Sequence, residues 1–184
     1  AEGGSAVPAP APAAEPEQAK PTVKEMLDLA QEQVGISEDS GGETKFQEWY
    51  VGSDRAEETV ARDGGGSPRV YSSAAWCSMF ISWLGDQTGF TDQVGSDAWT
   101  VEHARWFKEE GRWGTKPKPG AIVFFAWNGS KNISSIKHVG IVVEDKGDGQ
   151  VATIEGNSRN AVREQVRSAG DIVGYGYPEY ADEK

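Results

Sequence analysis

The chain holds one cysteine and two histidines, so thiol chemistry has few possible participants. Cys77 sits in Ala75-Trp76-Cys77-Ser78-Met79-Phe80-Ile81-Ser82-Trp83, near the start of a helix predicted over residues 74–88. Free amides and the helix dipole favour negative charge at such a start, so a thiolate is expected to be stabilised there. A thiol nucleophile needs a base. His138 directly precedes the apolar run Val139-Gly140-Ile141-Val142-Val143. A strand there would fix its backbone, while the preceding loop would leave its ring accessible. His103 lies among Glu102, Arg105 and Glu109 in a predicted helix and reads as part of a solvated face. The expected pair is therefore Cys77 with His138. A third group must orient the imidazole. Val151-Ala152-Thr153-Ile154-Glu155 runs into Gly156-Asn157. Paired antiparallel with the His138 strand, its end would lie beside that strand's start. Either Glu155 or Asn157 could then accept the imidazole hydrogen bond.

Each residue alone has a plainer explanation. A cysteine among Trp and Phe is ordinarily a small core residue. A histidine at a strand start is ordinarily a packed or surface imidazole, and a glutamate before glycine a turn carboxylate. Their order and placement on elements favour the chemical reading.

The elements that must position them follow from periodicity. Thr22-Val23-Lys24-Glu25 has the form of a capping box, with Met26, Leu27, Ala30 and Val34 at helical spacing behind it. A second helix is expected over 44–51, with Phe46, Trp49 and Tyr50 facing inward. Residues 53–73 are polar and glycine-rich and read as a long loop. The cysteine helix carries Trp76, Phe80, Ile81, Trp83 and Leu84, and another helix is expected over 100–110. After Pro117 and Pro119 the pattern changes to short β-rich runs at 121–127, 139–144, 151–155 and 172–175, separated by Asn and Gly turns. Helices followed by strands indicate an α+β fold with an antiparallel sheet against the cysteine helix.

Composition excludes several classes. With 184 residues the chain suits one domain of ordinary size. Residues 1–21, rich in Ala, Pro and Glu, read as a disordered linker, and 22–184 as the folded domain. The numbering is expected to begin after removal of an export signal. The longest apolar run, Ala121 to Trp127, is far too short to span a membrane. A net charge of −11 gives no general affinity for nucleic acid or anionic lipid. One cysteine excludes an internal disulfide and a cysteine-rich zinc site. Asp145 and Asp148 fit a polar hairpin turn better than a calcium loop. Trp127, just before His138, and Trp113 are candidates for lining a groove. Tyr71 is a candidate second oxyanion donor, though a packed aromatic is the favoured reading.

Four blocks in fixed order resemble the CHAP family, the cysteine, histidine-dependent amidohydrolases/peptidases. They are Ala75 to Trp83, Lys118-Pro119-Gly120-Ala121-Ile122-Val123-Phe124-Phe125, Lys137-His138-Val139-Gly140-Ile141-Val142 and Thr153-Ile154-Glu155-Gly156-Asn157. The resemblance covers about residues 24–178. It implies a papain-like α+β fold and hydrolysis of amide bonds in bacterial peptidoglycan peptides. Cys77 matches the family nucleophile, His138 the general base, Glu155 the orienting residue and Asn157 a polar residue that accompanies it. Gly120-Ala121 departs from the family's frequent Gly-Asp. The residues before Cys77 lack the carboxylates with which some members hold calcium, so no metal is expected there, nor any cofactor. The expectation is a secreted, monomeric wall hydrolase, either an endopeptidase or an N-acetylmuramoyl-L-alanine amidase. Its alternative is a catalytically silent domain that binds wall peptides or a partner protein.

Overall fold

A computed structural model describes residues 19–183. The expected linker lies outside the described residues as far as residue 18. Packing begins at Pro21, which is buried and whose carbonyl accepts a hydrogen bond from the Ala181 amide at 3.0 Å.

Helix α1 (Val23–Glu32) starts with the expected reciprocal cap between Thr22 and Glu25. Helix α2 (Lys45–Val51) is capped in the same way by Thr44 and Gln47, and buries Phe46 and Tyr50 while Trp49 stays half-buried. The loop expected over 53–73 is largely helical: α3 (Asp54–Arg62) and a single 3₁₀ turn (Pro68–Tyr71) occupy it. Few apolar residues mark α3, yet Ala56, Thr59 and Val60 give it a narrow buried stripe at i, i+3, i+4. A tertiary ion pair then fixes its end. Arg62 Nη1 and Nη2 donate to Asp97 Oδ2 and Oδ1 at 2.8 and 2.9 Å, and Asp97 is buried. Such a fork is directional as well as charged, so it sets the helix orientation.

Helix α4 (Cys77–Gln87) is central. Every residue from Cys77 to Gly85 is buried, which explains a sequence that is apolar nearly all round. Each of Met79, Phe80, Ile81 and Leu84 gains roughly 1.5–3 kcal/mol from leaving water. The short α5 (Thr91–Val94) and α6 (Thr100–Glu109) follow.

The second half forms one antiparallel sheet. Its strands are β1 (Trp113–Gly114), β2 (Ile122–Phe125), β3 (His138–Gly147), β4 (Gln150–Ser158), β5 (Ala161–Ser168) and β6 (Ile172–Gly176), ordered β1-β6-β2-β3-β4-β5. The α+β expectation agrees with this architecture. The sheet is apolar on both faces at its centre. Ile122 and Phe124 join the core shared with the helices, whereas Val123 and Phe125 join a second cluster with Val142, Val151 and Tyr175. That two-sided burial is why residues 121–127 read as an unbroken apolar run rather than an alternating one. β1 and β5 were not expected: β1 is two residues long, and β5 exposes most of its polar run Arg163 to Ser168. Asp145 and Asp148 do lie in the β3–β4 hairpin, where Asp145 Oδ1 accepts from the Gly147 amide.

Helix α4 lies against β3 and β4. Gly156 permits this contact: a Cβ there would fall 2.5 Å from the Phe80 Cβ. The end of β4 is thereby pressed onto the first turns of the cysteine helix.

Candidate active site

The chain entering α4 is held from both sides. The Trp76 indole donates to Glu38 Oε1 at 2.9 Å and its ring stacks on Phe46. Gln47 Nε2 donates to the Ala74 carbonyl at 2.8 Å. Cys77 is the first residue of the helix, and Trp76 at the N-cap supplies no side-chain acceptor, so no cap group occupies the space in front of the first-turn amides. The back of the helix is fixed by a buried polar seam. Ser78 Oγ lies 2.6 Å from His103 Nδ1, and His103 Nε2 lies 2.8 Å from the Val94 carbonyl. A carbonyl can only accept, so Nε2 carries the proton and Nδ1 accepts from Ser78. Burial holds this imidazole below its ordinary pKa and neutral. Ser82 and Asp97 extend the seam, Ser82 Oγ donating to the Ser78 carbonyl and accepting from the Asp97 amide. His103 is therefore not on a solvated face. The charged neighbours seen in sequence occupy the other side of α6, and helical spacing turns His103 towards α4.

His138 is the first residue of β3, opposite Phe125 in the ladder with β2. Its ring stacks on Phe125, with centroids 5.7 Å apart, and is flanked by Trp127 at the same separation. The Cys77 side chain lies beside the imidazole and favours its charged form. On its other side, His138 Nε2 lies 2.8 Å from Glu155 Oε1. A carboxylate accepts, so Nε2 donates, which leaves Nδ1 as the nitrogen that serves the thiol. Burial alone would lower the His138 pKa. The neighbouring Cys77 and the Glu155 hydrogen bond and charge outweigh it and raise the pKa from 6.5 to about 9. The site therefore favours the protonated ring more than water does.

Glu155 is fully buried, and every acceptor direction is used. Oε1 accepts from His138 and from Arg167 Nη2; Oε2 accepts from Thr153 Oγ1 at 2.6 Å and Arg167 Nε at 2.9 Å. Burial would raise its pKa, but Arg167, His138 and Thr153 together pull it from 4.5 to about 2. Gly140 makes room for this carboxylate: a Cβ there would stand 2.7 Å from Glu155 Cγ. Glu155 can therefore lie over β3 and reach His138, two residues away on the same strand face.

Cys77, His138 and Glu155 are brought together. Asn157 is on the same strand, half-buried, at a left-handed φ of 54° beside the register break between Glu155 and Ser158. The imidazole hydrogen bond goes to Glu155, not to Asn157. Trp127 stands at the site and is 48% exposed, so it is available to a ligand. Trp113 instead packs on Phe124 and over Gly174. Tyr71 is buried, its hydroxyl paired with Thr59 Oγ1, and so serves the helical half of the core. Among the described residues no cluster of three His, Cys, Asp or Glu could hold a metal.

Arg167 escaped the sequence reading. It lies on β5, whose polar character hid the strand. Arg163 is the residue opposite Glu155 in the ladder, but it turns away to the Ser158 carbonyl. The signal that could have found Arg167 is electrostatic: a glutamate expected to be buried at a strand end needs a cation, and the next polar run carries two arginines.

Glu155→Gln is expected to lower turnover roughly 10²- to 10⁴-fold, because an amide can present a donor to Nε2 and select the wrong imidazole tautomer. Asn157→Ala is expected to cost less than about 10-fold. Steady-state rates of the two variants check this order.

Residues 69–157 match the family model described as CHAP domain, a stretch that contains Cys77, His138, Glu155 and Asn157. No curated protein and no solved structure matches the chain. The match spans 89 of the 184 residues, and with the cysteine helix packed on an antiparallel sheet it identifies this stretch as a CHAP domain, the domain of the cysteine, histidine-dependent amidohydrolases/peptidases.

Proposed function

We propose that the protein is a cysteine hydrolase that cleaves amide bonds of bacterial peptidoglycan, acting as an exported, monomeric enzyme at the cell wall. One observation carries the reading. The lone cysteine opens a buried helix beside an imidazole whose Nε2 is held by a fully bonded buried carboxylate. A silent binding domain has no need of that carboxylate, since burying it is costly unless every bond is made.

The reaction follows from the arrangement. The Cys77 sulfur, its proton on His138, attacks the amide carbonyl. The oxyanion that forms is stabilised by backbone amides at the start of α4, including that of Cys77. The His138 imidazolium protonates the departing amine, and the thioester remains. The then neutral imidazole takes a proton from water, which attacks the thioester and releases the acid and the thiol. Glu155 remains a carboxylate throughout, holding the ring in one tautomer.

The bond could be a stem or cross-bridge peptide bond, cut by an endopeptidase, or the muramic acid–alanine amide, cut by an amidase. Mass spectrometry of fragments from purified peptidoglycan tests the proposal and separates the two. New amino termini within peptides indicate an endopeptidase, and sugar chains free of peptide an amidase. An intact wall after long incubation with folded enzyme would contradict both.

The pH dependence has a definite sign. Leaving-group protonation requires the imidazolium, so kcat/KM is expected to fall as pH rises through about 9. His138 contributes to stability below 6.5 and loses that contribution as pH rises towards about 9. Glu155 contributes above 4.5 and loses it as pH falls towards about 2. A pH–rate profile on solubilised wall checks the alkaline limb; a limb near the ordinary histidine value of 6.5 would contradict the assignment.

A further inference from the structure

We propose that Arg167 is a positioning residue of this site: its fork keeps Glu155 an acceptor, and so holds His138 in the tautomer that serves Cys77. The inference rests on the catalytic reading above, but concerns a residue outside the stretch that matches the family, since the match ends at residue 157.

Without Arg167, Glu155 would keep only Thr153 and His138 as donors, and whenever the ring is neutral a fully buried carboxylate so bonded is driven towards its protonated form. Protonated Glu155 would carry a hydroxyl able to donate to His138 Nε2. The ring proton would then move to Nδ1, facing the sulfur, and that nitrogen could no longer take the thiol proton. Arg167 prevents this by placing two N–H groups on the two carboxylate oxygens, Nε on Oε2 and Nη2 on Oε1. A fork of this kind can be satisfied only by the ionised acid.

The guanidinium is itself held in place. It lies 4.9 Å from the Trp127 ring centroid and 5.6 Å from that of Phe125, and these two rings stack on each other. The same rings flank His138. One aromatic pair therefore fixes both the base and the cation behind its acid. The charged groups around Glu155 are accounted for from each side: His138 on β3, with Cys77 beyond it on α4, Arg167 on β5, and Asp171 after β5, which acts on Arg167. Arg163, the other cation of β5 near Glu155, bonds the Ser158 carbonyl instead.

The test uses Arg167→Met and Arg167→Lys, alone and with Glu155→Gln. Because the chain has only two histidines and His103 is fully buried, the His138 titration can be followed by NMR without substrate. Arg167→Met is expected to move the His138 midpoint down by at least about one unit and to lower kcat roughly 10- to 100-fold with KM little changed. Arg167→Lys, which keeps the charge but loses the fork, is expected to fall between Met and wild type in both. In the Glu155→Gln background, Arg167→Met should cost little more, since its target is gone. An unmoved midpoint with wild-type kcat would overturn the proposal. So would a kcat loss of equal size with and without Glu155, the sign of a merely structural residue. If Arg167→Met does not fold, Arg167→Lys decides: an intermediate midpoint supports the role, and a wild-type midpoint with wild-type kcat refutes it. The titration does not require hydrolysis, so an inactive wild type would count against the proposed function and leave this inference to be judged on the midpoint.

Discussion

Cys77→Ala is expected to remove hydrolysis of purified peptidoglycan, a loss of roughly 10⁴- to 10⁶-fold in kcat. No other thiol exists in the chain, so no neighbour can substitute. The variant should stay folded. Cys77 is almost fully buried at the first position of α4, and removing its sulfur costs only about 1 kcal/mol of packing. The seam of Ser78, His103 and Ser82 holds the helix independently of the thiol. Thermal melting beside fragment release separates the two effects: an unchanged melting temperature with no release supports the nucleophile, and substantial release refutes it. Cys77→Ser should be nearly as inactive, because a hydroxyl gives up its proton far less readily than a thiol.

His138→Ala is the second large effect, with a loss of about 10⁴-fold or more expected in kcat. The imidazole has two duties, taking the thiol proton and returning one to the amine, and the one other histidine, His103, cannot replace it. His103 is separated from the sulfur chemistry because both of its nitrogens are engaged, with Ser78 and Val94. The variant also removes one of the donors to buried Glu155, leaving Arg167 and Thr153, so a modest fall in stability should accompany the loss of turnover. Adding free imidazole to the variant is expected to recover some fragment release, since the cavity left between Cys77 and Glu155 is the size of the missing ring. A turnover within 10-fold of wild type, on the scale of ordinary acid–base contributions of about 10²- to 10⁴-fold, would remove His138 from the mechanism.

The residues of the site that were legible in the sequence are those tied to strong apolar patterns. Cys77 opens a helix that is apolar on all faces, and His138 opens an apolar strand, so the elements themselves announced where the two side chains would stand. Glu155 and Asn157 could not be separated by spacing. What separates them is Gly140, whose missing side chain lets the Glu155 carboxylate lie across β3, and a register break after Glu155 that is invisible in a string of letters. Three features were hidden because tertiary polar contacts, not periodicity, fix them. Helix α3 is anchored by Arg62 and Asp97, which are 35 residues apart. His103 is buried by the helix it faces rather than by its sequence neighbours. Arg167 sits on a strand that looks solvent-exposed and reaches past the residue opposite Glu155 to find its partner. In each case the residue types were visible, but the distant group that gives them meaning was not.

The most direct test of the central claim is the rate at which iodoacetamide alkylates Cys77, measured against pH in wild type and in His138→Ala, with the adduct localised by mass spectrometry. The single cysteine makes the signal unambiguous. Wild type is expected to label rapidly near neutral pH, and His138→Ala to label much more slowly there, catching up only in alkaline solution. Equal rates in the two proteins across the neutral range would show that the imidazole does not activate the sulfur.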